Sequence, residues 1–381
     1  MTPKQFANEA TTTPKVLFVD LSHRFGGSST RALGQLSLLP PDQAGLAVIQ
    51  DSPVCRQAHS MGLTVHVVGR SKTDWRIWPN LVRLVRQHGY QIVDTQNIQS
   101  KFWASLAVPW TGAVLISTLN SWYVFEHGKN WRATVYTALE LLTNFRLGGY
   151  ITVSKTVQQA VQAAYPHAPF VELIYNAVDI PTPLPMPDRA WLAQTFSIPH
   201  NALICLAVGR LVWAKGYEDL IEAMSLAAQQ EPSLHCLIIG EGNLRASLET
   251  LLREKHLTQR VTLAGYHPPE VVFPALRASD IFVMSSRQEG TPIALLEAAA
   301  RALPIVATSC GGIPELVTDE QHALLVPPGR PDLLAQSLLR LARDPALRQR
   351  LGQAARAHVQ AHFSLQAQVQ ATLAAYRKAL G

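Results

Sequence analysis

Two carboxylates eight residues apart, Glu289 and Glu297, bracket a stretch whose residue types could hold an anion and a polyol together. Ser285–Thr291 is turn-rich, and Pro292–Arg301 is a good helix former. Its proline stands near the first helical position, where a missing N–H costs nothing. Pro304–Thr308 is a short β-branched run, and Gly311-Gly312 breaks the chain again. A helix N-terminus preceded by small residues offers backbone N–H groups and a partial positive charge, a seat for a diphosphate. Glu297, about two turns inside that helix, could accept hydrogen bonds from vicinal hydroxyls such as those of a ribose.

A second stretch has matching chemistry. The apolar run Ala202–Val208 leads into Gly209-Arg-Leu-Val-Trp-Ala-Lys-Gly216 and a helix from about Tyr217. Arg210 and Lys215 thus flank a tight turn at a strand's C-terminal end. Breaking a sugar–phosphate bond puts charge on the leaving diphosphate, and two fixed cations could take it up. A third stretch is strand Lys15–Asp20, loop Gly26-Gly27, helix Ser28–Leu38, in which glycines allow backbone to approach a ligand or simply make a turn. His23 and Arg31 beside it read as exposed polar residues. Each feature alone also has a plain reading, Glu297 as a solvated helix residue and Arg210 and Lys215 as surface cations.

Taken together the residues carry a resemblance. Glu289-Gly-Thr-Pro-Ile-Ala-Leu-Leu-Glu297, followed by P-I-V-A-T and G-G-I-P-E, resembles the E-x7-E donor site of the retaining nucleotide-sugar glycosyltransferases numbered family four. G-R-L-x-x-x-K-G around Arg210 and Lys215 is similar to a second string of that family, and Tyr175-Asn-Ala-Val-Asp179 to its N-G-V-D turn. The resemblance implies the α/β fold called GT-B, two facing Rossmann-like domains with a cleft between them. It implies a nucleoside-diphosphate sugar as donor, with no metal and no other cofactor. Arg210 and Lys215 would hold the diphosphate. Backbone of Gly290, Thr291, Ile293 and Ala294 would add N–H donors, Glu297 would take the ribose and Glu289 the sugar ring. Gly26 and Gly27 match a glycine-rich loop of the first domain, and Gly265-Tyr266 are placed to contact the base. Gly240-Glu-Gly-Asn-Leu-Arg245 lacks the third glycine of a dinucleotide loop and reads as a structural turn.

The chain departs from the family at two positions. Where members have a histidine that contacts the donor sugar, this sequence has Asn120, and where many have another it has Gln96. Asn hydrogen-bonds to a hydroxyl but carries no proton at neutral pH, which bears on the sugar preference and on the activity itself. His127 could substitute only if its loop folds back. The rival readings are an inactive nucleotide-sugar-binding partner protein, and an epimerase or phosphorylase on the same scaffold. An epimerase would need acid/base carboxylates in the cleft and a phosphorylase a cofactor-binding lysine, and neither set is visible.

The elements that must position these residues alternate. Ala44–Gln50, Leu63–Val68, Gln91–Asp94, Ala113–Thr118, Tyr150–Val153 and Phe170–Ile174 read as strands, with helices such as Asp74–His88 and Val157–Ala164 between them. Such β–α repetition predicts parallel sheets covered on both faces, with ligands beyond the C-terminal strand ends. The expected organisation is a flexible tail 1–14, an acceptor-side domain 15–180, a proline-alternating hinge 181–187, a donor domain 188–362 and a C-terminal helix 363–381 that packs back on the first domain.

A chain of 381 residues with 48% hydrophobic content fits two globular domains. Cys55, Cys205, Cys236 and Cys310 are scattered without metal-ligand spacing, which predicts reduced thiols and a cytoplasmic setting. Residues 1–14 lack the apolar core of a signal peptide. Phe102–Phe125 holds no charge, but its proline, glycine and polar residues predict helix end, turn and strand, not a membrane span. Residues 1–180 hold 15 Lys+Arg against 10 Asp+Glu, within a net charge of +6. With no basic run and no nucleic-acid module, that excess fits an anionic membrane surface or lipid-linked acceptor better than nucleic acid. Trp122–Arg146 mixes aromatics with cations and reads either as a core-facing helix or as a surface meeting lipid on the cytosolic face.

Overall fold

The strand β1 (Val16–Asp20) is buried along its whole length. Val16 and Phe18 belong to one apolar cluster, Leu17 and Val19 to another. Successive side chains of a strand point to opposite faces, so a strand covered on both sides must be apolar throughout. That is why this run, and others like it, lacks the alternation of a half-exposed strand. The computed structural model describes residues 13–23, 25–122, 131–180 and 189–381. Most of the expected tail, His127 and the stretch 181–187 lie outside them. The chain divides into two units, Met1–Ala177 with Leu365–Gly381, and Val178–Ser364.

The first unit holds a parallel sheet of β1, β2 (Ala44–Ile49), β3 (Val65–Gly69), β4 (Ile92–Thr95), β5 (Val114–Leu119), β6 (Leu147–Thr152) and β7 (Val171–Leu173). Their spatial order is β3-β2-β1-β4-β5-β6-β7. The direction of winding reverses between β1 and β4. The charge-free stretch from Phe102 resolves into the end of helix Ile98–Ala107, a short turn Val108–Trp110 and β5.

Buried charges tie distant segments together here. The hydroxyl of Tyr376, on the C-terminal helix Leu365–Leu380, donates to Asp94 at 2.5 Å, and Thr118 donates to the same carboxylate at 2.7 Å. Burial pushes the Asp94 carboxyl up to about 6 against these hydrogen bonds and the nearby Arg31. Arg31 is itself buried, which corrects its reading as an exposed residue. Its guanidinium donates to the carbonyls of Ile174 and Tyr175 and to Asn176 Oδ1, so it holds the Tyr175–Asp179 turn from inside. Lys101 and Glu140 form a fully buried ion pair at 2.5 Å, and Asn144 and Tyr150 also contact the ammonium.

The second unit is a six-stranded parallel sheet of β8 (Leu203–Val208), β9 (Leu234–Ile239), β10 (Val261–Gly265), β11 (Ile281–Met284), β12 (Ile305–Thr308) and β13 (Leu324–Val326). The order β10-β9-β8-β11-β12-β13 reverses between β8 and β11. Loops after the two strands flanking such a reversal diverge and leave a crevice, the usual ligand position in an open α/β sheet.

Removing one partner of the buried Lys101–Glu140 pair leaves the other charge uncompensated. Lys101→Met is expected to cost about 3–5 kcal/mol in urea unfolding, and adding Glu140→Leu to recover much of it.

Candidate functional site

The loops after β8 and β11 are fastened to each other at the reversal point of the second unit. After β8 the chain makes a 3-10 turn, Trp213–Lys215, and enters helix Tyr217–Ala228 through Gly216 at φ +60°. A Cβ at that position would stand 2.2 Å from the carbonyl oxygen of Ser285, in the other loop. Only glycine accepts both the left-handed backbone and the approach. Ser285 Oγ donates to the Lys215 carbonyl at 3.0 Å, and the amides of Arg287 and Gln288 both donate to the Ala214 carbonyl. The Arg287 guanidinium grips Asp219 through two hydrogen bonds of 3.1 and 3.0 Å and lies 5.6 Å from the Trp213 ring centroid. Arg287 had not been singled out from the sequence, although its acidic partner in the first turn after Lys-Gly was a signal.

This clamp brings Lys215 to Glu289. The ammonium meets Glu289 Oε1 at 2.5 Å, and Ser286 Oγ donates to the same oxygen at 2.6 Å. The backbone of Glu289 is pinned from the far side. Its carbonyl accepts from the Gly312 amide at 3.2 Å, and Gly311, at φ +52°, comes so near that a Cβ would stand 1.9 Å from that oxygen. Cys310 Sγ and Thr308 Oγ1 donate to the Ser286 carbonyl. Gly311 is therefore a packing requirement of the carboxylate loop, and Gly312 contributes its amide. A small cavity beside Lys215 is lined by Ala207, Val208, Tyr217, Met284 and Ser286.

Gly290 and Thr291 are buried, and helix Ile293–Ala300 starts after Pro292. Leu295 and Leu296 donate back to the Pro292 carbonyl, so the amides of Ile293 and Ala294 precede the first intrahelical bond. Glu297 is the one acidic residue in an otherwise apolar helix. Burial raises its carboxyl to about 7, opposed by Arg301 one turn on. Among the described residues no group donates a hydrogen bond to that carboxylate. Arg210 is exposed just beyond β8. The Leu211 amide donates to the Glu241 carbonyl and the Gly240 amide to the Gly265 carbonyl, which links the turns after β8, β9 and β10. Tyr266 then extends into solvent.

Gly26, Gly27 and Asn120 belong to the first unit. Gly26 caps helix Gly27–Leu38 with an extended φ of −161°, and a Cβ there would meet nothing within 4 Å, so the fold does not require glycine at that position. The loop geometry comes from Asp20, which accepts from Ser29 at 2.7 Å, from the Ser22 amide and from Asn97 after β4. Asn120 directly follows β5, with both side-chain amide atoms buried and without a partner, and Gln96 Oε1 is likewise unpaired. Buried polar atoms of this kind are costly and mark places where a ligand can complete the hydrogen bonding.

The family model described as Glycosyltransferase Family 4 matches residues 44–181, and the one described as Glycosyl transferases group 1 matches residues 190–358. The chain is 37% identical over 171 residues to the amylovoran biosynthesis glycosyltransferase AmsK of Erwinia amylovora, covering 43% of this chain and 42% of AmsK. It is 30% identical over 221 residues to a GDP-mannose-dependent monoacylated alpha-(1-6)-phosphatidylinositol monomannoside mannosyltransferase of Corynebacterium glutamicum, covering 56% and 57%. The chain thus spans about half the length of the curated relatives it matches. In fold it is similar to Anabaena Alr3699/HepE in complex with UDP-glucose, at a TM-score of 0.81 and 21% identity over 94% of this chain and 98% of that one. It is also similar to sucrose-phosphate synthase from Thermosynechococcus elongatus, at 0.77 and 21% over 96% and 98%.

The Glu297 carboxyl supplies a pH test. Between its ordinary 4.5 and about 7 the folded chain holds a proton that the unfolded chain has lost, so stability falls as pH rises through that window. Urea unfolding should show Glu297→Gln gaining roughly 1–3 kcal/mol over the parent on going from pH 4.5 to pH 8. An offset that does not change with pH would contradict the assignment.

Proposed function

Because the chain is a glycosyltransferase built of a family 4 domain and a group 1 domain, we propose that it moves a sugar from a nucleoside-diphosphate sugar to a glycan or lipid-linked acceptor, with retention and without a metal. The observation that carries this reading is Lys215, paired with a Glu289 that Ser286 also holds, in a loop that leads four residues later into a helix whose first amides are uncommitted. Lys215 and Arg210 take the diphosphate, and the Ile293 and Ala294 amides add donors to it. Glu297 accepts the ribose hydroxyls, which replace the hydrogen bonds its buried carboxyl lacks. Glu289 loses part of its hold on Lys215 as the diphosphate arrives and turns its free oxygen to the sugar hydroxyls.

In the first unit the Gly26-Gly27 loop lets backbone approach a ligand, and the open Asn120 amide can bond to a sugar hydroxyl in either direction. The reaction breaks the bond between the anomeric carbon and the phosphate oxygen, and forms the acceptor oxygen–carbon bond on the same face. The acceptor's proton passes to the leaving phosphate, so no enzyme nucleophile is needed. Gly265 and Tyr266 meet the base. Relatives include a GDP-mannose-dependent enzyme, and a structural neighbour holds UDP-glucose. The donor therefore has to be found by assay.

Purified chain incubated with UDP-, GDP- and ADP-sugars should release one nucleoside diphosphate, and a lipid extract of the source cells should increase the release. Lys215→Ala is expected to cut turnover by about 100-fold or more, because it removes charge placed on the leaving group. Unchanged turnover would overturn that role. Binding of one nucleotide with no release under any acceptor condition would favour the inactive-partner reading.

A further inference from the structure

On the first unit, helix Ile98–Ala107 packs against both Ile77–His88 and Trp131–Leu142. These helices and their flanks carry most of the large apolar side chains left exposed among the described residues. Phe102, Leu106 and Trp110 recur every four residues along Ile98–Ala107 and the turn that continues it, forming one stripe. The Trp78 indole donates to the Leu106 carbonyl at 3.1 Å and meets the Trp110 ring edge-on at 6.3 Å, which joins the neighbouring helix to the stripe. Trp75 precedes that helix at 70% exposure. Val135, Leu139 and Leu142 form a matching stripe on Trp131–Leu142. Beneath them the Lys101–Glu140 pair bolts that helix to Ile98–Ala107, so the surface is a fixed one. A soluble monomer rarely leaves so continuous an apolar face uncovered.

The same stretch is cationic. Between residues 70 and 112, Arg70, Lys72, Arg76, Arg83 and Arg86 are exposed, whereas Asp94 is buried and Asp74 is held by Arg76. Arg86 Nε donates to the Trp110 carbonyl at 2.8 Å, and the Trp103 indole donates to the Lys72 carbonyl at 2.8 Å, so cations stand at the margin of the aromatic stripe. Indoles bordered by arginine and lysine match the layer where lipid headgroups meet acyl chains, and the excess positive charge matches lipid phosphates. A two-fold contact through this face would set one cationic margin against another. No helix among the described residues is long and apolar enough to cross a membrane.

We propose that this face seats peripherally on an anionic lipid bilayer, with Trp75, Trp78, Phe102 and Trp110 in the headgroup layer and Arg83 and Arg86 against the phosphates. The inference rests on the surface of the first unit alone, and its test does not use turnover, so it stands or falls apart from the sugar-transfer reading.

Flotation of the full chain with vesicles of phosphatidylcholine alone, or of phosphatidylcholine and phosphatidylglycerol in equal parts, tests it. The chain should float with the anionic vesicles, less so in high salt, and hardly with the neutral ones. A Trp75→Ser/Phe102→Ser/Trp110→Ser variant with unchanged circular dichroism should partition about 10-fold less or worse. Arg83→Glu/Arg86→Glu should lose binding to anionic vesicles while leaving the apolar face intact. Absence of flotation with anionic vesicles, or flotation of both variants equal to that of the unaltered chain, would overturn the proposal. So would light scattering that shows a dimer which the triple variant dissolves, since that would assign the face to a second copy.

Discussion

The contact on which the second unit's site depends is the ion pair between Lys215 and Glu289. It joins two loops that leave the sheet from β8 and β11, the strands between which the winding reverses. The pair is largely shielded from water, and such a pair adds little net stability because desolvation offsets the attraction. Its role is positional, and the surroundings bear the cost of holding it. Gly216 and Gly311 admit neighbouring carbonyls that any side chain would exclude, and Arg287 ties the Lys215 turn through Asp219. The Glu289 carboxylate therefore stands where its backbone is fixed on two sides. An ammonium held by a carboxylate can be handed to a diphosphate, which presents more negative charge on more oxygens.

The first unit solves a different problem, the burial of charge far from any surface. Asp94, Arg31 and Tyr376 meet although Tyr376 is 282 residues from Asp94 in sequence. The Tyr376 hydroxyl is one of three side-chain donors to that carboxylate, with Thr118 and Gln96. The C-terminal helix is thus fastened to this unit by a polar contact as well as by Val369 and Leu373 in the apolar cluster. Close by, Gln96 and Asn120 keep polar atoms unpaired at the C-terminal ends of β4 and β5. Arg31 Nη2 is likewise left without a partner, although its other terminal nitrogen makes three hydrogen bonds.

The sheets were legible because a doubly covered strand has to be apolar along its whole length, and the runs at Lys15–Asp20, Ala202–Val208 and Leu234–Ile239 have no other reading. The pairing of Lys215 with Glu289 was foreseeable in outline, since both residues follow strands that a parallel sheet brings side by side. Arg31 was misread because a cation near a Gly-Gly loop looks like surface. Its partners, the carbonyls of Ile174 and Tyr175, are backbone groups and leave no mark in the residue types. Arg287 escaped notice for a similar reason, its two acids lying about seventy residues away across the sheet. The lipid-facing reading fell on Trp122–Arg146, and the structure divides that stretch. Trp122 is core, Tyr123, Phe125 and the side chains of Trp131 and Phe145 lie outside the described residues, and the exposed aromatics described in the first unit are Trp75, Trp78, Phe102 and Trp110. Helical spacing alone does not say which side a neighbouring helix covers.

The central claim is that the loops after β8 and β11 read a diphosphate. Calorimetric titration of the purified chain with UDP, GDP and ADP, and with the matching monophosphates, in EDTA, tests it most directly. One diphosphate should bind at least about 10-fold more tightly than its monophosphate, since the second phosphate adds charge-assisted hydrogen bonds to Lys215 and Arg210. Equal affinity for the two, or binding of none of the diphosphates, would contradict the account.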